Sequence, residues 1–172
     1  MPFTPFHLGA GALFKAVGRG RVSFLVFAGS QVLIDIEPLI RILSESERLH
    51  GPTHTFLGAL AIGAVAAVIG RPISNFFLRW TSEHHRLVTQ EAAWWGAMLG
   101  TFSHVVLDGM MHWDMQPFSP FSEANPLLGT APFGSVSMLC LVLGGVGLVV
   151  WGVRISVSAK PDSNRRGASP ES

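Results

Sequence analysis

Charge is scarce in this 172-residue chain: Asp, Glu, Lys and Arg make up 13% of it, against roughly 25% in a soluble domain. Cysteine is scarcer still. The single Cys140 lies in an apolar run, which excludes a disulfide framework and a Cys-x-x-Cys metal site. The formal net charge is +1 and no basic stripe is interleaved with aromatics, so nucleic acid is not an expected partner. No internal repeat is visible. The N-terminus MPFTPFHLGAGALFKAVGRGR also lacks the order of a signal peptide, because Lys15, Arg19 and Arg21 follow its apolar stretch instead of leading it. It reads as part of the mature protein.

What is present is apolar and clumped. Hydrophobic residues reach 48%, the mean hydropathy is +0.40, and the runs predict an all-α integral membrane bundle embedded in the lipid bilayer. Residues 5–17 are too short to cross upright, since crossing takes about 20 residues, and read as a half-membrane helix. A second run, 22–43, is broken by Asp35, Glu37 and Pro38. A third, 55–70, is expected to stop at Arg71-Pro72; the fourth covers 92–111, and the uncharged fifth covers 132–153. These runs predict about four spanning helices plus the short N-terminal one, all within 1–155. Residues 156–172, polar and rich in small side chains, predict a disordered tail.

Lys and Arg placement sets an expected orientation. The segment 15–21, the loop 71–91 and the tail from Arg154 are all cationic, whereas 112–131 has no Lys or Arg. The cationic segments should share the cytoplasmic side, with 44–54 and 112–131 facing outward; Arg41 and Arg48 run against this pattern. The consequence concerns chemistry. His7, Asp35, Glu37, His54, His104 and Asp108, from four separate pieces of chain, should then lie at one level of the membrane, towards the outer face.

Ionisable groups inside a membrane segment are costly and mark cavities or sites. In GTFSHVVLDGMMHWD, His104 and Asp108 are spaced i, i+4 and His112 continues the row, so all three share one helical face. The competing explanation is a buried His–Asp hydrogen bond that joins two helices. Asp114 reads as the beginning of a loop. In LHGPTH, Pro52-Thr53 reads as a helix start with His54 in its first turn and His50 in the preceding loop. In VLIDIEPLI, Pro38 biases Glu37 away from helix, and in an extended segment Asp35 and Glu37 would point the same way. His7 alone is an interfacial histidine. Glu83, His84 and His85 sit in a polar loop and read as solvated. Taken together, His7, Asp35, Glu37, His54, His104 and Asp108 form a set of imidazole and carboxylate donors suited to zinc, manganese or iron. One to three ions are expected, zinc first, with His50 and His112 as additional candidate ligands. Glu37 and Asp35 are the candidate general bases if they do not ligate metal.

The blocks TPFHLGAG, IDIEP, GPTHTF and GTFSHVVLD, followed by the outer-loop stretch WDMQPFSPF, resemble the YdjM-like family of predicted membrane-bound metal-dependent hydrolases, in the family's order over most of residues 1–130. That family is in turn distantly similar to the zinc-dependent phospholipase C and nuclease superfamily. The resemblance implies an inner-membrane location and makes His7, Asp35, His54, His104 and Asp108 metal ligands. The chain departs from the family pattern at two places: Glu37-Pro38 stands where relatives carry Asp-His, and Leu49-His50 where they carry His-Arg. His50 or His112 is the candidate replacement.

The leading expectation is a membrane hydrolase that attacks a phosphoester, such as a lipid headgroup, with metal-activated water. The alternatives are a non-catalytic metal-binding or proton- or ion-conducting membrane protein, and a structural subunit whose polar residues join helices. Gly144, Gly145 and Gly147 permit close packing of the last helix.

Overall fold

The structure is a computed structural model and describes residues 4–81, 87–132 and 134–158. It is all-helical among the described residues: α1 (Leu8–Val17), α2 (Phe24–Ile34), α3 (Ile36–Leu43), α4 (Phe56–Leu78), α5 (Gln90–Gly109) and α6 (Ser135–Ser158). Two short 3-10 turns, Thr4–His7 and Pro52–His54, precede α1 and α4. Side-chain caps explain three of the starts. Ser23 accepts from Val26 N at 3.3 Å, Thr55 from Gly58 N at 2.9 Å and Thr89 from Ala92 N at 3.1 Å.

Among the described residues, two helices are long and apolar enough to cross a membrane, Phe56–Leu78 and Ser135–Val157. Much of their apolar surface is unburied, including Leu57, Leu60, Val65 and Val68 on α4 and Leu141, Val142, Leu148 and Val149 on α6. Such continuous apolar faces suit lipid. The helix α5 has 20 residues, but Gln90, Glu91, His104 and Asp108 lower its hydropathy. The second apolar run differs most from expectation. It divides at Asp35 into helices of 11 and 8 residues, neither of which can span a bilayer.

Pro38, in the first turn of α3, has no N–H to give the carbonyl four residues back, that of Ile34, and α2 ends at that residue. Asp35 lies at the junction with φ −77° and ψ −4°, so no extended segment forms, and Glu37 is helical. The third run also departs, since α4 continues through Pro72 to Leu78. A proline removes one hydrogen bond but leaves later ones intact. The extension is held by the segment after it: Val88 N donates to Asn75 Oδ1 at 2.7 Å, and Asn75 Nδ2 donates to Val88 O at 3.1 Å. The last helix runs through Ser158, three residues into the expected tail. Glu83, His84 and His85, like residues 159–172, lie outside the described residues.

The helices pack in two groups. In the first, α2 and α5 run parallel, from the Ser23 N–Ala92 O bond of 2.9 Å to the contact of Gln31 with Gly100 O at 3.1 Å. α4 runs antiparallel to both, with Gly63 against Thr101 and Gly70 against Val26. Val26, Ala66, Ala67, Ala93 and Ala97 form the core between them. In the second group, α1 lies parallel to α6 so closely that a Cβ on Gly9 would stand 1.9 Å from Cys140 O, and one on Gly147 2.6 Å from Leu13 N. Arg154 reaches the Ala16 carbonyl. Apolar lipid gives no hydrophobic drive for helix association, so such small-residue contacts carry the packing. These contacts gather the Arg19, Arg21, Arg71 and Arg154 regions at one end of the bundle. His7, Asp35, His54, His104 and Asp108 lie at the other.

Candidate metal centre

Each side chain of the cluster arrives from its own element. His7 closes the first 3-10 turn, Asp35 stands between α2 and α3, and His54 ends the turn that Pro52 begins. His50 comes from the loop before that turn. His104 and Asp108 lie one turn apart in α5, and His112 follows the helix end. His7, His50, His54, His104 and Asp108 are all buried.

Asp108 is the hub. Its Oδ2 lies 3.2 Å from His104 Nε2 and 3.9 Å from His50 Nε2, and its Oδ1 lies 3.5 Å from His7 Nε2. The carboxylate of Asp35 stands 3.2 Å from His104 Nε2 and 3.7 Å from His54 Nε2. Two sets of donor atoms fall close enough to share an ion: Asp35, His54, His104 and Asp108, and a second set of His50, Asp108 and His112. Asp108 belongs to both. His7 borders the first set, its ring 4.9 Å from that of His104.

The outward nitrogens of His104, His54 and His50 are fixed by partners. Gln31 donates its Nε2 to Gly100 O at 3.1 Å, so the amide oxygen must face His104. That oxygen is 2.5 Å from His104 Nδ1, which makes Nδ1 the protonated nitrogen and leaves the Nε2 lone pair inward. Thr53 likewise donates to Glu37 Oε2 at 2.5 Å, so its hydroxyl accepts from His54 Nδ1 at 3.0 Å. His50 Nδ1 donates to Asp114 Oδ1 at 2.9 Å. Partners of this kind set the tautomer and orientation of metal-binding histidines.

The inner faces are bare of such partners. His7 Nδ1 and Nε2, His54 Nε2, His104 Nε2 and Asp108 Oδ1 are buried without a hydrogen bond. A charge-assisted N–H···O bond is about 2.7–2.9 Å long, shorter than the 3.2–3.9 Å separations here. Two donors each about 2.1 Å from one tetrahedral ion stand about 3.4 Å apart. The inner spacings therefore fit shared ligation better than direct pairing, and the donor set fits a divalent ion.

Of the residues expected in the set, Glu37 alone is turned away. Its oxygens accept from Thr53 N at 2.9 Å and Thr53 Oγ1, and pair with Arg41 Nη2 at 2.7 Å and Nε at 2.9 Å. Burial opposes its ionisation, but the bonds from Thr53 and Arg41 outweigh it and lower its pKa. The physical reason for the difference is helical geometry: positions two apart on α3 point to different sides. His112 joins the second set, its Nδ1 3.9 Å from Asp108 Oδ1.

Two contributors escaped sequence reasoning. Gln31 is an uncharged amide in an apolar helix, and nothing marks it. Asp114, read as a loop start, takes Leu49 N at 2.8 Å and His50 N at 3.1 Å on Oδ2 besides the His50 ring. Burial raises its pKa, but these N–H donors prevail and bring it to about 2. The short spacing of Asp114 from His112 was the available signal.

Compared with known proteins, residues 6–163 match the family described as YdjM inner membrane protein. No curated protein and no solved structure matches the chain.

Proposed function

Because the chain belongs to the YdjM inner membrane protein family, we propose that its buried His/Asp cluster is the centre of a membrane-bound metal-dependent hydrolase that cleaves phosphoesters. The observation that carries this reading is the group of orphaned inner atoms, His54 Nε2, His104 Nε2 and Asp108 Oδ1, with the two rings backed by Thr53 and Gln31. Zinc, the ion favoured by imidazole and carboxylate donors, would supply a polarised water as nucleophile and a clamp for the phosphoryl oxygen. His54, His104 and Asp108 hold it, with Asp35 completing the first set and His50 and His112 the second.

The side chain of Asp35 is 28% exposed against 7% or less for His54, His104 and Asp108, so the centre opens to water past this carboxylate. In this reading Asp35 is the ligand at the mouth of the centre, where water and substrate enter. Glu37 instead steadies Thr53 and through it His54. The likeness of the His104–Asp108 helix to that of zinc-dependent phospholipases C belongs to the same reading.

We read α5 as a further membrane-level helix beside the two apolar ones. By the positive-inside tendency the cationic helix ends and the tail face the cytoplasm, and the centre faces outward. Proton or ion conduction lacks a path on this account. Between His104 and Ser23 along the seam of α2 and α5, no titratable residue continues the row.

The test is metal content and turnover of the full chain in detergent. Elemental analysis should find a stoichiometric divalent ion, and a chromogenic phosphodiester should be hydrolysed. His54→Ala and His104→Ala should lose turnover while keeping helical content. Purified protein without stoichiometric metal would sink the reading.

A further inference from the structure

Beside the cluster, on the His50 side, lies a cavity of about 670 Å³ between the 41–58 region and residues 116–120. Its lining carries Arg41 and Arg48 and no carboxylate. The two cations differ in their freedom. Arg41 is held by Glu37 at 2.7 Å and 2.9 Å, and the absence of a side chain at Gly51 makes room for the pair: a Cβ there would stand 2.0 Å from Glu37 Oε1 and 2.3 Å from Arg41 Nη2. Arg48 has no acidic partner among the described residues. Gln116 and Ser119 add polar groups on the opposite wall. With Arg41 engaged by Glu37, the guanidinium of Arg48 is the cation left to an incoming anion, and a phosphate matches its fork.

The remaining wall is apolar. Leu57, Gly58 and Ala61 belong to the first turns of α4, a helix long and apolar enough to cross a membrane. Leu57 and Leu60 are about half-exposed on it. A molecule whose phosphate meets Arg48 can thus lay an apolar chain along α4. His50 lines the cavity and also belongs to the second set of candidate metal donors, so the hollow adjoins the centre at this residue.

We propose that this cavity is the subsite for a phosphate-bearing group on an amphiphile, with Arg48 as the recognising cation and Arg41 as its fixed neighbour. The assignment rests on the hydrolase reading for its placement beside a reacting centre, but binding at Arg48 can be measured without turnover. Recognition here involves the non-reacting charge of the substrate, so it governs binding more than the chemical step.

The experiment uses the full chain in phosphatidylcholine nanodiscs containing fluorescent phosphatidic acid, with inorganic phosphate as competitor and metal content measured on the same samples. Arg48→Ala should weaken retention of phosphatidic acid about tenfold, the scale of a lost charge-assisted hydrogen bond, with metal content unchanged. Arg48→Lys should lose less, which separates charge from misfolding. Equal retention by wild type and Arg48→Ala overturns the proposal, and so does the absence of any preference for phosphatidic acid over phosphatidylcholine. Inorganic phosphate that competes as strongly as the lipid overturns the amphiphile and leaves a water-soluble phosphate ester as ligand. Arg48-dependent retention in protein that carries no metal supports the subsite and removes the hydrolase reading, so the two failures are distinct.

Discussion

Gln31 Oε1 and His104 Nδ1 stand 2.5 Å apart, 73 residues apart in sequence, and this contact decides which nitrogen of His104 faces the cluster. The amide has no alternative orientation, because its Nε2 is committed to Gly100 O. Replacement by leucine leaves a buried N–H without an acceptor, at a cost of about 1–3 kcal/mol. It also frees the ring to take the other tautomer. We expect Gln31→Leu to lower the thermal midpoint and to weaken zinc binding roughly 10–100-fold, read by unfolding and metal titration in detergent. Gln31→Glu keeps the acceptor and should retain more of the affinity. Wild-type affinity in Gln31→Leu would mean that the contact is packing alone.

Asp108 is shared by the two sets of candidate ligands, and sharing has a countable consequence. His112→Ala should remove the second ion and spare the first. Asp108→Ala should remove both, because each set loses a carboxylate and the His7 and His104 rings lose their common neighbour. Elemental analysis after exhaustive dialysis gives the stoichiometries. Equal losses in the two variants would indicate a single centre.

Asp114 and Glu37 test the outer ring of contacts. Asp114→Asn offers one acceptor where three N–H groups now find two oxygens. Roughly 1–3 kcal/mol of stability should disappear, with the second ion lost before the first. The native carboxylate is held from 3.8 down to about 2. Its contribution is therefore complete above the unfolded value and declines only as pH falls towards the folded one. For Glu37→Gln the expectation differs. Metal content should persist, since no Glu37 oxygen faces the cluster, while stability falls through Arg41 and Thr53. Asp35→Asn should show the reverse. Metal loss in Glu37→Gln comparable to that in Asp35→Asn would restore Glu37 to the ligand set.

The parts of the centre that were legible in the sequence are those with local spacing. His104 and Asp108 reveal themselves as an i, i+4 pair, and the cationic segments foretold that His7, Asp35 and His54 meet them at one end. The outer contacts were not legible for a physical reason: Gln31 to His104 and Asp114 to His50 span 73 and 64 residues, and no local pattern encodes them. Glu37 faces elsewhere because the chain resumes as helix at Ile36 after the division: Pro38 in a first turn is compatible with helix, and two helical steps turn the two acids apart. Pro72 shows the other limit of a proline signal, since α4 continues through it. Hydropathy, by contrast, located the helices but not their capacity to span, since α2 and α3 divide one apolar run between them.

The approach of α1 to α6 links packing to the centre. A Cβ at position 9 would stand 1.9 Å from the Cys140 backbone oxygen, and backbone cannot swing aside as a side chain can. Gly9→Ala must therefore push the two helices apart, with overpacking costs of about 1–3 kcal/mol. His7 lies two residues earlier, at the start of the displaced helix, and should move away from Asp108, now 3.5 Å distant. Gly9→Ala should accordingly lose both thermal stability and metal affinity. Gly145→Ala is the matched control, because an added methyl there meets nothing within 4 Å and alanine favours the helix. Should Gly9→Ala lose stability yet bind zinc as the wild type does, His7 lies outside the ligand set, and the first centre is complete with Asp35, His54, His104 and Asp108.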